Sequence, residues 1–372
     1  MKIGNTKSFF ILCLCLMTVI HVYTNWCGIG QTFDSYRYIS ASVNLGKFYF
    51  LEPIDGQVIF RPPLYPTILS MLNGNLIGIR FVHLLVALGG LFLFERIISI
   101  STPNVIFKNF AIFLYATSTP LLINSSFAWT ESFVILLSLI QLKLLLSDKP
   151  DAWDKSFWWI VILGVAIGLL KRGSVLLIPG VFIILLINNH SIKGLLRALI
   201  YGCSAYLSTL LWDIYQGRAS VPGAQIPETT EYLNVVSTWL IPMSFNTGLR
   251  EASISVLLIS LIAGYFYLKQ FKSVSDSKTQ LIFLVLFFCY LILRWKFASL
   301  DYFESDRYLS VAFPFFLLSL LGLLSWILDY SDSGKKIVLA FLILWSSYSG
   351  IRYIKNATQI HQDRCRETIE SL

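Results

Sequence analysis

Eleven predominantly apolar stretches follow one another along this 372-residue chain, at 8–24, 76–99, 105–123, 127–147, 157–171, 174–188, 194–212, 252–268, 280–297, 308–328 and 336–352. A helix needs roughly 20 such residues to cross a bilayer. The shortest pair, 157–171 and 174–188, is separated only by Arg172 and Gly173. Hydrophobic residues make up 56% of the chain and charged residues 13%, and the mean hydropathy is +0.68. No soluble domain of this size needs that composition. The longest intervals between apolar stretches, 25–75 and 213–251, hold no separate soluble domain. The expected fold is an all-α polytopic membrane protein: one membrane domain over 1–372, about eleven transmembrane helices, and interfacial helices in the first outer loop.

Lys2 and Lys7 precede the first apolar run, as in a signal peptide. The run continues to Tyr23 with no clear small-residue cleavage site, so it reads as a retained span. Of six cysteines, Cys13, Cys15, Cys203 and Cys289 fall in apolar stretches, while Cys27 and Cys365 are placed on the same, outer side. No CxxC pair argues for a zinc site or a disulfide framework.

Lys2 and Lys7, without acidic neighbours, place the N-terminus in the cytoplasm. Threading eleven spans from there leaves 14 cations inside and 15 outside, so the raw count does not orient the chain. The kinds of cation differ more. The inside set is 12 Lys with Arg96 and Arg197; the outside set is 11 Arg and 4 Lys, joined by 14 of the 21 acids. Lys is a hydrated point charge, whereas Arg presents a planar fork that matches phosphate and carboxylate. Longer outer loops alone are one reading of this bias. An anion-binding, acid-bearing site on the outer face is the other.

The 25–75 interval carries Phe33-Asp34-Ser35-Tyr36-Arg37-Tyr38 and ends in Arg61-Pro62-Pro63-Leu64-Tyr65-Pro66. Its Tyr and Phe residues suggest an amphipathic helix at the membrane interface, followed by an extended piece. Asp34 falls at or near the start of that helix. An N-cap and an acid-base catalyst both fit it, and Glu52 and Asp55 compete for the acid role. Glu131, in Trp129-Thr130-Glu131-Ser132, opens a span; an ionisable residue there is expensive and a functional candidate. Lys171 and Arg172 lie between two spans on the outer side. They suit a phosphate through charge-assisted hydrogen bonds, or snorkel to headgroups. Gly164 and Gly168 form a small-xxx-small pattern that favours helix packing. The last outer loop brings Arg294, Lys296, Asp301, Glu304, Asp306, Arg307 and Tyr308 together, either as a solvated salt-bridged turn or with Arg307 and Tyr308 reaching into a cavity.

There is no Walker-type loop, no Rossmann glycine fingerprint, no HExxH and no metal-spaced His/Cys cluster. The four His, at 21, 83, 190 and 361, are dispersed. No basic stripe with interleaved aromatics points to nucleic acid.

The order of these motifs resembles the multi-pass glycosyltransferases that use polyprenyl-phosphate sugars, the C-type membrane fold. This group includes bacterial relatives of the dolichyl-phosphate-mannose protein mannosyltransferases and the lipid A aminoarabinose transferases. The matching residues are Asp34 to Ile39 with Ala41, Asn44, Leu45 and Gly46, then Arg61 to Pro66, Thr130-Glu131-Ser132, Gly164 to Arg172, and Arg307-Tyr308-Leu309 with Pro314. They run from about residue 8 to 330. The resemblance implies a hexosyl- or pentosyltransferase that inverts configuration. In it Asp34 is the general base, and Glu131, the other catalytic candidate, orients the acceptor or serves as the base itself. Arg61, Lys171, Arg172 and Arg307 bind the donor phosphate, and Tyr38, Tyr65 and Tyr308 line the substrate cavity. Many members carry a second acid beside the catalytic Asp, where this chain has Ser35. Many also carry a large C-terminal domain, where this chain has a short tail.

The expected partners are therefore a polyprenyl-phosphate sugar, a glycan, lipid or protein acceptor, and membrane lipids, with no cofactor, metal dependence left open and no nucleic acid. The expected location is the cell (inner/plasma) membrane, with the active site on the extracytoplasmic side. A secondary transporter or lipid flippase also fits eleven spans with intramembrane charges. Against it stand the absence of an internal repeat and of paired interrupted helices. A catalytically dead scaffold is the third class.

Overall fold

The computed structural model of the chain describes residues 6–46, 62–102, 104–147, 153–215, 229–242, 244–297, 305–330 and 332–370, and every regular element among them is helical. The β-type pairing among them is an isolated parallel bridge between Gly30 and Phe127. The protein is an all-α membrane protein. Eight helical segments among the described residues are long and apolar enough to cross a bilayer: Thr6–Thr24, Leu76–Ser101, Val105–Ser126, Ile192–Trp212, Thr247–Phe271, Val274–Lys296, Arg307–Leu328 and Gly334–Glu367. The expected stretches at 157–171 and 174–188 are the shorter apolar helices Lys155–Leu170 and Arg172–Asn188. The stretch at 127–147 is a 17-residue helix that begins only at Glu131.

The chain divides into two compact units, each assembled from interleaved segments. The first comprises 1–22, 91–123 and 225–359. Its centre is α15 (Phe313–Tyr330), whose Phe315, Phe316, Leu317, Leu318 and Leu321 are fully buried. A helix that is apolar all round belongs in an interior. It packs against α5 (Val105–Ala116), α12 (Thr247–Leu268) and α13 (Val274–Phe297). Gln280 of α13 donates to the Ser319 carbonyl at 2.6 Å, over Gly322. Asn104 caps α5 and Asn246 caps α12 through side-chain oxygens that accept two backbone N–H groups each, as first-turn donors require.

The second unit comprises 23–90, 124–224 and 360–372. It contains α2 (Phe33–Gly46), α3 (Leu64–Met71), α7 (Glu131–Ser147), α8 (Lys155–Leu170), α9 (Ile178–Asn188) and α10 (Ile192–Tyr215). Asp154 caps α8, accepting from the Phe157 amide at 3.1 Å. Helix α8 packs against α7, α10 and α3. A Cβ at Gly164 would meet the Tyr201 ring and Ala205, and one at Gly168 would meet Thr209 and the Ala205 carbonyl, all on α10. The two glycines therefore let α8 and α10 approach closely, as the spacing predicts. Gln141 of α7 donates to the Ile160 carbonyl of α8 at 2.9 Å in a buried position.

The short tail after the last apolar stretch is helical. Helix α16 runs unbroken from Asp332 to Glu370.

Candidate functional site

Two loop segments of the second unit hold the candidate site in place. Gly30 donates its N–H to the Ser126 carbonyl at 2.8 Å, and Ala128 donates to the Gly30 carbonyl at 2.9 Å. The two strands of chain run parallel here and both then turn into helices, α2 after Thr32 and α7 after Thr130. A Cβ at position 30 would force the Phe127 ring and the Arg364 guanidinium to shift. That guanidinium lies over the Phe127 ring at 4.3 Å, and Phe127 stacks on Trp129 at 4.3 Å. The Trp129 indole donates to the Thr32 hydroxyl at 2.9 Å.

The last turns of α16 are fastened to the same loop. Cys27 and Cys365 form a disulfide with their Cα atoms 5.0 Å apart, and His361 stacks on Tyr23 at 4.1 Å. The absence of a CxxC pair pointed away from disulfides. The structure corrects that reading, since the pairing arises between segments 338 positions apart.

Asp34 lies in the first turn of α2 but not at its cap. The Tyr36 N–H donates to the Thr32 carbonyl at 3.0 Å, so Thr32 occupies the capping position. Asp34 is half-buried at the edge of a face formed by Ser35, Tyr38, Ala41 and Ser42, all buried. Tyr38, one helical turn on, meets the Tyr65 ring edge-to-face at 5.1 Å. The Tyr65 hydroxyl is 2.9 Å from His83 Nε2, and both rings pack on Phe133 at 5.3 Å. Tyr38 and Tyr65, expected to line a substrate cavity, are thus buried in an aromatic cluster behind α2. The cluster includes His83, whose role the dispersed His pattern did not reveal.

Glu131 is fully buried at the first turn of α7 and forms an ion pair with Lys171, which is 12% exposed. The Thr130 hydroxyl is 3.4 Å from the second carboxylate oxygen. Lys171 is where α8 stops: it is extended, and a 3-10 turn over Arg172–Leu177 leads to Pro179 and α9. That break turns the Lys171 side chain to Glu131, forty residues earlier in the chain. Arg172 follows it, half-buried. One unit thus brings together Asp34, Glu131, Lys171 and Arg172, on segments tied by the Gly30–Phe127 bridge or by the Glu131–Lys171 pair.

The other unit holds Arg307 and Tyr308, in the short helix α14 (Ser305–Leu309). Arg307 is 2% exposed and Arg294, at the end of α13, is 5% exposed. Both guanidiniums face the Tyr308 ring, at 5.1 Å and 4.2 Å from its centroid. The Tyr290 hydroxyl donates to the Tyr308 carbonyl, and the Tyr232 hydroxyl to the Arg294 carbonyl, each at 2.8 Å. Arg250, near the start of α12, is equally buried, and its Nε and Nη1 make no hydrogen bond among the described residues. Sequence reasoning passed over Arg250, because a cation beside a span is usually a surface anchor.

Arg61, Glu52, Asp55, Asp301 and Glu304 lie outside the described residues, as does the side chain of Asp306. Among the described residues no three His, Cys, Asp or Glu side chains gather in a way that could hold a metal ion. No known protein-family model matches this chain, and no curated protein is detectably similar to it.

Proposed function

We propose that the protein is an integral-membrane glycosyltransferase. It moves a hexose or pentose from a polyprenyl-phosphate donor to an envelope glycan, lipid or protein acceptor. The observation that supports this best is the pairing of two helix starts. The Gly30–Phe127 bridge sets the first turn of α2, with Asp34, alongside that of α7, with the buried Glu131–Lys171 pair. Asp34 at a helix start, in the same unit as a desolvated carboxylate–ammonium pair, suits proton transfer at a membrane surface.

In the proposed reaction Asp34 takes the proton from the acceptor hydroxyl or amine. The acceptor atom bonds to the anomeric carbon from the face opposite the phosphate. The bond from that carbon to the phosphate oxygen breaks, and polyprenyl phosphate leaves with the electron pair. Arg61 and Arg172 are assigned to the departing phosphate, because preorganised cations stabilise developing negative charge. Lys171 already faces Glu131, and on this reading it holds that carboxylate in position to orient the acceptor.

With α7, α8 and the Arg172–Asn188 segment added to the eight longer helices, the chain crosses the membrane eleven times from a cytoplasmic N-terminus. The disulfide supports an extracytoplasmic position for residues 27 and 365, since such bonds persist in oxidising compartments. Trp26 and Tyr36, both well exposed, suit an interfacial position for the first outer loop.

The test is transfer of labelled sugar from a polyprenyl-phosphate donor to an envelope acceptor by the protein in proteoliposomes, beside sugar uptake by the same vesicles. Transfer is expected. Uptake without transfer would replace this reading with a transporter.

A further inference from the structure

A groove in the first unit, away from Asp34 and Glu131 in the chain, has the chemistry of a lipid site. The first turns of α1 (Thr6–Thr24), the last turns of α4 (Leu76–Ser101) and the first turn of α5 line an open groove of about 470 Å³. That volume falls within the range of small-molecule sites, roughly 300–1,000 Å³. Three cations border it, Lys7, Arg96 and Lys108, against one acid, Glu95. Glu95 is already engaged: the Ser99 hydroxyl donates to it at 2.9 Å and the Arg96 Nε lies 3.6 Å away. The Lys108 side chain makes no hydrogen bond or ion pair among the described residues. The groove therefore carries a net positive charge.

Its other wall is aromatic. Phe10 and Phe92 pack at 6.4 Å, with the Arg96 guanidinium over Phe92 at 5.0 Å. Phe92 remains 44% exposed. Cations next to an exposed apolar wall, at the end of membrane-spanning helices, match a ligand with an anionic head and a hydrocarbon tail. A free phosphate would use the cations and leave the aromatic wall uncovered. A zwitterionic lipid would bring its own amine against three cations.

We infer that this groove binds an anionic glycerophospholipid, its phosphodiester among Lys7, Arg96 and Lys108 and its acyl chain along Phe10 and Phe92. The inference does not depend on the transferase reading. Lys7 beside the first span places the site in the cytoplasmic leaflet.

The test is native mass spectrometry of the detergent-purified full chain titrated with phosphatidylglycerol, phosphatidylcholine or inorganic phosphate. Wild type is expected to bind one phosphatidylglycerol with about tenfold preference over phosphatidylcholine, given the attraction of clustered cations for anionic lipid. The preference is expected to vanish in Lys7→Gln/Arg96→Gln/Lys108→Gln and to survive in Lys193→Gln, which alters an exposed cation elsewhere. Lys108→Glu alone should weaken it severalfold, which serves if the triple variant misfolds. Equal binding of the two lipids by wild type, a preference that persists in Lys108→Glu, or competition by inorganic phosphate as effective as by lipid would overturn the proposal.

Discussion

The Trp129 indole N–H and the Thr32 hydroxyl meet at 2.9 Å across 97 residues of sequence. This bond ties the cap of the Asp34 helix to the segment that ends at Glu131. Trp129→Phe keeps the stacking on Phe127 and removes the donor, and Thr32→Val removes the acceptor. Each is expected to cost about 1 kcal/mol of stability. The double variant should cost little more than either alone, as for residues that share one interaction. Thermal unfolding in detergent checks this, and strict additivity would mean that the bond contributes nothing.

Asp34→Asn separates chemistry from helix capping. Thr32, not Asp34, occupies the cap position, so the substitution should leave expression and unfolding temperature unchanged. A general base contributes about 10²- to 10⁴-fold, and sugar transfer should fall by that factor. Transfer at the wild-type rate in Asp34→Asn would remove Asp34 from the role of base.

Glu131 and Lys171 form a buried pair, which should tolerate loss of both charges better than loss of one. Removing one partner of a buried pair costs about 3–5 kcal/mol, and the 12% exposure of Lys171 points to the lower end. Glu131→Gln should therefore destabilise strongly. Glu131→Gln/Lys171→Met should recover much of the stability without recovering activity. A double variant no more stable than Glu131→Gln would show that the ion pair is not what Glu131 contributes.

Cys27 and Cys365 are expected to resist maleimide labelling until the protein is denatured and reduced. A peptide pair linking the two positions should appear in a non-reduced digest. Cys27→Ser should lower stability by about 2–5 kcal/mol, typical for loss of a native disulfide. Ready labelling of both thiols in the unreduced protein would exclude the bond.

Arg294 and Arg307 converge on the Tyr308 ring. If Arg307 meets the donor phosphate, Arg294 shares the task. Each Arg→Ala change should then raise the apparent donor KM by about ten- to a hundredfold, matching a charge-assisted bond of roughly 1.5–3 kcal/mol. Arg→Lys should rescue only part, since the planar fork is lost. An unchanged donor KM in both Ala variants would remove these arginines from donor binding.

Local chemistry was legible in the residues themselves. Apolar stretches of bilayer length became helices because backbone groups in lipid must bond within their own segment. Gly164 and Gly168 were readable as a packing face because their four-residue spacing places both on one side of a helix. The start of the Asp34 helix was readable from its polar, aromatic surroundings. Its cap was not, since Asp34, Ser35 and Thr32 all suit a helix start, and the Tyr36 amide bond to the Thr32 carbonyl singled out Thr32.

The partners of charged and reactive groups were decided only by the tertiary structure. Lys171 reads as an anion binder by residue type and position, yet its ammonium meets Glu131 because α8 ends there and the chain turns. Cys27 and Cys365 lack any spacing signal, and they meet because α16 continues to Glu370 and returns its end to the first loop. Arg250 looks like an ordinary cation at a span boundary, and packing around α12 buries it. Hydrophobicity is a property of each residue, so it survives in a one-dimensional pattern. Pairing is a property of two residues brought together by the fold, and no spacing along the chain encodes it.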